Sequence, residues 1–190
     1  QGLVLHVANR GTQWSDDSRR VTVAAGENWH EFVSLSLDKG FYGLENLALI
    51  PGLVGAAPIQ NIGAYGREIA DVFVELEAID LQTGKPHTLN KAACEFGYRD
   101  SVFKSEQDTQ WLIWSVTLQL QASDQPDTSY GALQKLLAQR GDSAISARNV
   151  FAAVCDIRRS KLPDPAVLGN AGSFFKNPLV SAAILQALQA

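Results

Sequence analysis

The chain has 190 residues, of which 46% are hydrophobic and 19% are charged, and its formal net charge at pH 7 is −4. This composition is that of an ordinary globular protein, and the acidic balance argues against general nucleic-acid binding, which needs a basic face. No apolar run approaches the roughly 20 residues that a membrane span requires, and no signal peptide is recognisable.

The rare residue types restrict the function further. His6, His30 and His87 lie far apart in the sequence, which argues against a zinc site. Cys94 and Cys155 lack the spacing of a metal site, and we expect both to be buried thiols of a cytoplasmic protein. The chain contains no methionine, opens in a strand-like run and stops in a helix-like run, so we expect it to be a segment of a longer protein.

Strands and a capped helix are predicted for the first part of the chain. The period-2 spacing of the apolar residues 3, 5 and 7, and of Val21 and Val23, predicts paired strands. Asn28, followed three residues later by Glu31, resembles a capping box. It predicts a helix that ends at Gly40 and buries one apolar face, formed by Trp29, Phe32, Val33 and Leu37.

Two more strands, a central strand and a second helix are predicted further along. Residues 71–89 predict two strands around a Thr-Gly turn, and residues 111–122 predict a central strand because both of its faces carry bulky side chains. Ser146 predicts a helix that Pro163 ends, with an apolar stripe of Val150, Ala153, Val154 and Ile157. The change to polar loop and helix places a domain boundary between residues 123 and 165.

A loop rich in small residues is a candidate ligand site. Residues 43–66 combine glycines and alanines with apolar side chains. Main-chain N–H groups of such a loop can approach a flat or anionic ligand, because no Cβ intervenes. A tightly packed buried crossover explains the pattern equally well. The loop is neither a phosphate-binding P-loop nor a GxGxxG fingerprint.

Three further motifs suggest chemistry, and each has a structural alternative. Arg99, between Tyr98 and Phe103, suits recognition of a carboxylate by its planar guanidinium. On the sequence pattern alone, a structural salt bridge is the more common role for such an arginine. The cations of residues 158–161 form an anion-binding patch or simply complement a helix dipole. Ser173 has no base nearby in the sequence, so it is a turn hydroxyl or a proton donor rather than a nucleophile.

Four motifs in this order resemble those of the UDP-N-acetylenolpyruvoylglucosamine reductases: "GLENLALIPGLVGAAPIQNIGAYG", "FGYRDSVFK", "SKLPDP" and "GNAGSFFKNP". The resemblance covers nearly the whole chain and is closest to the enterobacterial-like type of the family. It implies an α+β fold with an FAD-binding domain of the vanillyl-alcohol-oxidase (PCMH) type over residues 1–125. A connecting helical region over residues 126–162 and the start of a small α+β substrate domain over residues 163–190 would follow.

The same resemblance implies an activity. The family passes hydride from NADPH through FAD to the enolpyruvyl group of UDP-N-acetylglucosamine enolpyruvate, which gives UDP-N-acetylmuramate for peptidoglycan, cell shape and cell division. We therefore expect a cytoplasmic, monomeric oxidoreductase with FAD and NADPH as cofactors and no nucleic-acid or membrane partner. The alternatives are another flavin oxidoreductase of this fold and, from a different class, a non-catalytic truncated segment.

The resemblance also assigns site residues. Ser173 matches the family's proton donor, and Arg99 matches the arginine beside the substrate carboxylate, where a fixed positive charge stabilises the enolate. Tyr130, Lys161 and Asn177 match substrate-binding residues. The loop residues expected to contact the flavin are Gly55, Ala57, Ile59, Gln60, Ile62 and Gly63.

The chain departs from the family pattern in ways that affect these expectations. Ala56 and Ala57 stand where the family commonly has serines, so a hydroxyl contact to the flavin pyrophosphate is lost. The family's upstream glycine-rich phosphate loop and the glutamate that completes its catalytic trio would lie outside residues 1–190. We therefore expect this segment on its own to be inactive.

Overall fold

The computed structural model describes residues 2, 4–105, 110–141, 144–164, 167–169, 176–178 and 180–189. Seven strands and four α-helices lie in these ranges. The strands are β1 (Thr12–Ser15), β2 (Arg20–Ala24), β3 (Gly63–Ala64), β4 (Arg67–Glu68), β5 (Phe73–Asp80), β6 (Pro86–Asn90) and β7 (Trp111–Gln119). The helices are α1 (Trp29–Asp38), α2 (Gly131–Arg140), α3 (Ala147–Lys161) and α4 (Ala182–Gln189), and none of them is long and apolar enough to cross a bilayer.

The framework is a five-stranded antiparallel sheet in the order β1-β2-β7-β5-β6. Val116 of β7 lies opposite Val23 of β2 and Leu76 of β5, and all three side chains are buried. On the opposite face, the Thr22 and Thr117 hydroxyls are 2.8 Å apart. Alternation along a strand therefore gives one apolar and one polar face. The prediction of a central strand at residues 111–122 is confirmed.

The hairpin between β5 and β6 is also confirmed. Its turn is held by Asp80, whose main-chain oxygen accepts from the N–H of Gly84 at 2.7 Å. The Asp80 carboxylate accepts from the N–H of Gln82 at 2.7 Å, as short acidic side chains do in turns. Gly84 adopts a φ of +70°, a conformation that favours glycine.

The predicted opening strand is wrong for residues 4–7, where the structure shows no strand, and residue 3 lies outside the described ranges. Val4 and Leu5 remain 89% and 52% exposed. Alternating apolar residues form a strand only where a partner edge is available, and the outer edge of β2 is taken by β1 of its own hairpin. The segment is fixed instead by Asn9, which donates to the Trp114 carbonyl at 2.8 Å and accepts from the Gly26 N–H at 3.0 Å.

Helix α1 forms where its capping residue predicts. The Asn28 side-chain oxygen accepts from the N–H of Glu31 at 3.0 Å, which satisfies one of the free donors at the helix start. Gly40 follows the end of the helix with a φ of +73°. The predicted apolar face is confirmed, since Trp29, Phe32, Val33 and Leu37 are all buried. Trp29 also donates its indole N–H to the Leu47 carbonyl at 2.9 Å.

Helices α2 and α3 pack against each other, and α3 packs against the short turn at Glu45–Leu47. Ser146 caps α3 as predicted: its main-chain N–H donates to the Asn149 side chain at 2.9 Å, and its hydroxyl accepts from the Asn149 N–H at 3.2 Å. The sequence pattern does not distinguish α2 as a separate amphipathic helix. Its buried face is narrow and consists of Leu133 and Leu137. Both helices join the core that lies on the apolar face of the sheet.

The two cysteines are free and buried, as predicted. Burial raises the pKa of Cys94 to about 12 and also raises the pKa of Cys155. Neither is therefore a thiolate nucleophile near neutral pH. Within the described ranges, no group of three or more His, Cys, Asp or Glu side chains could hold a metal ion.

Candidate active site

Arg99 lies in a tight turn at residues 97–100. The Gly97 N–H donates to the Asp100 carbonyl at 3.0 Å, and the Asp100 N–H donates back at 3.2 Å. Arg99 has a φ of 54°, a left-handed conformation that costs a non-glycine residue about 1–3 kcal/mol. The turn is anchored by the Ser101 hydroxyl, which donates to the Ile59 carbonyl at 2.6 Å. Such strain persists only where the surroundings impose it, and it is common at functional sites.

The Arg99 guanidinium is held at two of its nitrogens. Nη2 donates to the Gly63 carbonyl at 2.6 Å, and Nη1 donates to the Glu68 carboxylate at 3.3 Å. A Cβ at Gly63 would lie only 2.5 Å from Nη1, so the guanidinium occupies space that only glycine leaves open. A guanidinium has five N–H donors, and the Arg99 side chain is 31% exposed. It can therefore meet a ligand while it is held by the protein.

Two cations flank the half-exposed ring of Tyr98. The Arg99 guanidinium lies 5.0 Å and the Lys176 ammonium 5.5 Å from the ring centroid, both within the range of cation–π attraction. Lys104 adds a third positive charge and donates to the Arg99 carbonyl at 3.0 Å. This arrangement suits an anionic ligand. Lys176 belongs to the motif "GSFFKNP", whose residue Ser173 lies outside the described ranges.

Strands β3 and β4 form a small antiparallel hairpin, here called the 63–68 hairpin, that links two predicted site residues. At one end, Gly63 and Glu68 hold Arg99. At the other end, the ring of Tyr65 contacts Tyr130 edge-on, with 5.3 Å between centroids and an interplanar angle of 86°. Tyr130 directly precedes α2 and is 46% exposed. Arg99 and Tyr130 are therefore positioned by one element.

Polar contacts hold the Tyr65 end of the hairpin in place. Asn46, which is buried, donates to the carbonyls of Tyr65 at 2.9 Å and Asp127 at 3.0 Å. Arg67 pairs with the Asp127 carboxylate at 3.3 Å. Burial raises the pKa of Tyr65, although the positive charge of Arg158 opposes the rise. The Tyr65 hydroxyl thus stays neutral and can act as a hydrogen-bond donor.

The remaining predicted substrate residues are exposed. Lys161 lies in the last turn of α3, one turn beyond Arg158, and Asn177 follows Lys176. Within the described ranges, no hydrogen bond joins Lys161 or Asn177 to Arg99 or Tyr130. The structure therefore brings Arg99 and Tyr130 to a common element and leaves Lys161 and Asn177 accessible at the surface.

The six residues predicted to contact a flavin divide into three groups. Gly55 and Gly63 are small for reasons internal to the protein, because a Cβ at Gly55 would lie 2.6 Å from the Ala25 Cβ and one at Gly63 would meet Arg99. Three others, Ala57, Gln60 and Ile62, line a cavity of about 60 Å³. Ile59 is 39% exposed nearby in the sequence. Ligand pockets usually enclose about 300–1,000 Å³, so this surface could contact only part of a flavin.

Most main-chain donors of residues 54–62 in this loop are already used within the protein. Hydrogen bonds to protein carbonyls engage the N–H groups of Val54, Gly55, Ala56, Ala57, Ile59, Asn61 and Ile62. These seven groups do not form an anion cradle, contrary to what the small residues suggest. A pyrophosphate bound beside this loop would therefore need donors from elsewhere.

Sequence reasoning missed the polar residues that fix the site, namely Asn46, Asn61, Tyr65 and Glu68. Asn46 and Asn61 are each 1% exposed. An amide within a small, apolar loop indicates buried hydrogen bonding, since buried polar groups are nearly always paired. That signal was available for both asparagines. Nothing in the sequence distinguishes Glu68 from an exposed turn residue.

Comparison with known proteins identifies relatives. Residues 1–90 match the family model described as FAD binding domain. The UDP-N-acetylenolpyruvoylglucosamine reductases of Pseudomonas fluorescens and Pseudomonas aeruginosa are each 54% identical to the chain, over 97% and 96% of its length. The enzyme of Bordetella pertussis is 56% identical over 90% of the chain. The chain spans about half the length of these relatives, 55%, 54% and 49% respectively.

A solved structure supports the same relationship. The crystal structure of UDP-N-acetylenolpyruvylglucosamine reductase from Thermus caldophilus matches 88% of the chain and 53% of that protein, with a TM-score of 0.60 and 25% identity. The predicted α+β, FAD-binding fold class is thereby confirmed. The chain is therefore similar to the UDP-N-acetylenolpyruvoylglucosamine reductases along nearly all of its own length and about half of theirs.

Proposed function

We propose that this chain contributes the catalytic arginine and the proton donor of a flavin-dependent reductase. The reaction converts UDP-N-acetylglucosamine enolpyruvate into UDP-N-acetylmuramate for peptidoglycan, with NADPH as the source of hydride. The names of the relatives support the reaction class. The observation that carries the proposal is the Lys176–Tyr98 contact, since Lys176 follows Ser173 by three residues and Tyr98 precedes Arg99.

Arg99 would stabilise the charge that develops on the substrate. FAD, once bound and reduced by NADPH, would supply hydride to the enolpyruvyl carbon. Negative charge then accumulates on the neighbouring carbon and its carboxylate, and a fixed guanidinium is most effective where charge develops. Arg99 suits this role because Gly63 and Glu68 hold it in place before the substrate arrives.

Ser173 would complete the reaction by giving its hydroxyl proton to the enolate carbon. An alcohol is a weak acid, but a carbon enolate is a stronger base than water, so no activating histidine is required. This explains why a serine without a partner base can be catalytic at this position.

Other predicted residues would bind the substrate and the cofactor. Tyr130, Lys161 and Asn177 would hold the UDP-sugar, since their side chains are exposed. Ala57, Ile59, Gln60 and Ile62 would contact the flavin ring, while Gly55 and Gly63 keep the loop close to its neighbours. We further propose that residues 1–125 belong to the flavin domain and residues 163–190 to a substrate domain. We also propose that the enzyme is monomeric and cytoplasmic, and the free thiols support the second of these.

Variants of the complete reductase that carries this chain test the proposal. Ser173→Ala should still permit reduction of FAD by NADPH but should slow turnover by about 100- to 10,000-fold, the usual effect of a general acid. Arg99→Lys should be nearly as damaging as Arg99→Ala, because a point charge does not reproduce the planar fork. The matched control is Arg20→Lys, at an exposed arginine of β2. Wild-type turnover of either test variant would refute its assigned role.

The isolated chain has a different expected behaviour. Seven N–H groups of the small-residue loop are engaged within the protein and cannot hold a pyrophosphate, and we infer that the 190-residue chain alone binds FAD weakly and is not catalytic. The visible absorbance of the purified chain tests this inference. A yellow protein with stoichiometric FAD would contradict it, whereas a colourless protein that shows no flavin spectrum would support it.

A further inference from the structure

The Glu68 carboxylate beside Arg99 takes no chemical step in the reaction described above, although it contacts the guanidinium. We propose that Glu68 is a positioning residue for Arg99 and that buried Asn61 fixes the orientation of the Glu68 carboxylate. The proposal concerns the same site and rests on the catalytic role proposed for Arg99.

The Glu68 carboxylate is fixed by contacts on several sides. One oxygen accepts from Arg99 Nη1 at 3.3 Å, and the other accepts from the Asn61 side-chain amide at 2.7 Å. It also accepts from the main-chain N–H of Asp71, whose own carboxylate accepts from the Glu68 N–H at 2.9 Å. A carboxylate with this many donors has one preferred rotamer, so its position defines that of the guanidinium.

Asn61 can orient Glu68 because its own amide has a single satisfactory orientation. Its oxygen accepts from the Ala70 N–H at 3.1 Å, so its NH₂ group must face the Glu68 carboxylate. The same NH₂ group donates to the Gly97 carbonyl at 2.9 Å. Asn61 is 1% exposed, and it connects Glu68 to the turn that carries Arg99.

The contribution of Glu68 is expected to be geometric rather than a large gain in stability. The side chains of Glu68 and Arg99 are 34% and 31% exposed, and ion pairs this exposed add little to the free energy of folding. Glu68 and the Gly63 carbonyl together fix two nitrogens of the guanidinium, and hence its plane. A misplacement of about 1 Å at such a group costs about 100-fold in rate.

The chemistry of the pair suggests a specific set of variants. In Glu68→Gln, the single amide oxygen can face either Arg99 or Asn61, and the NH₂ group then opposes a donor on the other side. In Asn61→Asp, two carboxylates face each other. The double variant Asn61→Asp with Glu68→Gln reverses the hydrogen bond, so that the new amide donates to the new carboxylate and its oxygen again faces Arg99. The summed charge of the two positions is unchanged, although the new carboxylate oxygen faces the Gly97 carbonyl, which opposes part of the recovery.

Two readouts distinguish positioning from a merely structural role. In the complete reductase, Glu68→Gln should lower kcat by about 10- to 100-fold while the KM for NADPH stays within about twofold, and the double variant should recover at least about threefold. In NMR spectra of the ¹⁵N-labelled 190-residue chain, the guanidinium N–H signals of Arg99 should be resolved from one another in the wild type. They should merge into one averaged signal in Glu68→Gln and be resolved again in the double variant. The control is Glu77→Gln, at an exposed carboxylate on β5. The urea midpoints of Glu68→Gln and of this control should match.

The outcomes separate this inference from the proposed function. If Arg99→Lys has wild-type turnover, the catalytic role of Arg99 fails, and the guanidinium signals alone decide whether Glu68 positions it. If Arg99→Lys is damaging while Glu68→Gln retains wild-type kcat and wild-type guanidinium signals, the role of Glu68 is refuted. A double variant no better than Asn61→Asp alone, which places the same carboxylate against the Gly97 carbonyl, would refute the role of Asn61.

Discussion

Replacement of Gly63 by alanine tests whether this glycine makes room for Arg99. The new Cβ would lie 2.5 Å from Arg99 Nη1, 2.9 Å from Glu68 Cγ and 3.0 Å from the main-chain oxygen of Arg67. An ordinary contact begins at 3.4 Å, so the guanidinium would have to move by about 0.9 Å. The Arg67 oxygen belongs to the backbone of a hairpin, so the Cβ cannot retreat in that direction.

The expected effect follows from this displacement. A shift of about 1 Å at a catalytic group costs about 100-fold in turnover, and crowding of this kind costs about 1–3 kcal/mol of stability. The two assays are kcat in the complete reductase and urea unfolding of the 190-residue chain. The control for stability is Gly131→Ala, where a Cβ meets nothing within 4 Å and the helix should gain up to about 1 kcal/mol. Wild-type kcat and an unchanged urea midpoint in Gly63→Ala would refute the reasoning.

Three further predictions concern the fold. Asn28→Ala should cost about 1 kcal/mol of unfolding free energy through loss of the helix cap, whereas Asn28→Asp should retain most of it; an equal loss in both would contradict the capping role. Burial, aided by the charge of Arg159, lowers the pKa of His30 below 6.5, and protonation would remove the acceptor for the Leu49 N–H at 3.0 Å. The unfolded chain therefore binds this proton more readily than the folded chain does. The contribution of His30 to the free energy of unfolding is complete above about pH 6.5 and is lost as the pH falls through the lowered pKa. His30→Gln should therefore flatten the pH dependence of stability in urea titrations between about pH 5 and 8. Because the pKa of Cys94 is about 12, only about one thiol in 10,000 is ionised at pH 8, so this thiol should react with iodoacetamide only after unfolding; rapid labelling of the native chain would show that it is accessible.

The elements that the sequence predicts correctly are those with a local signal. Asn28 and Ser146 carry their capping chemistry in the sequence itself, and the Thr-Gly turn fixes the β5–β6 hairpin. The opening strand has an equally good alternation, yet Val4 and Leu5 remain exposed. Pairing depends on which strand occupies the edge of β2, and a pattern within one segment contains no information about that choice.

The candidate site shows the same limit. Arg99 and the small-residue loop can be found from motifs, but the reason why Gly63 must be small depends on contact with a side chain 36 positions away. The pattern also suggests free main-chain donors in the loop, whereas seven of its N–H groups are already engaged. A sequence shows which residues have small side chains. It does not show which of their N–H groups the fold leaves unsatisfied.

The central position of β7 affects how the chain must assemble during synthesis. Thr22 of β2 meets Thr117 of β7 across 95 positions, so the ribosome releases both flanking hairpins well before the strand that joins them. Until β7 is synthesised, Val21, Val23 and Leu76 lack the strand with which they pair. Unpaired apolar edges of this kind promote aggregation. Nascent chains that stop before residue 119 should therefore depend on chaperones, and the slow step of refolding should be the insertion of the last strand between two preformed ribbons.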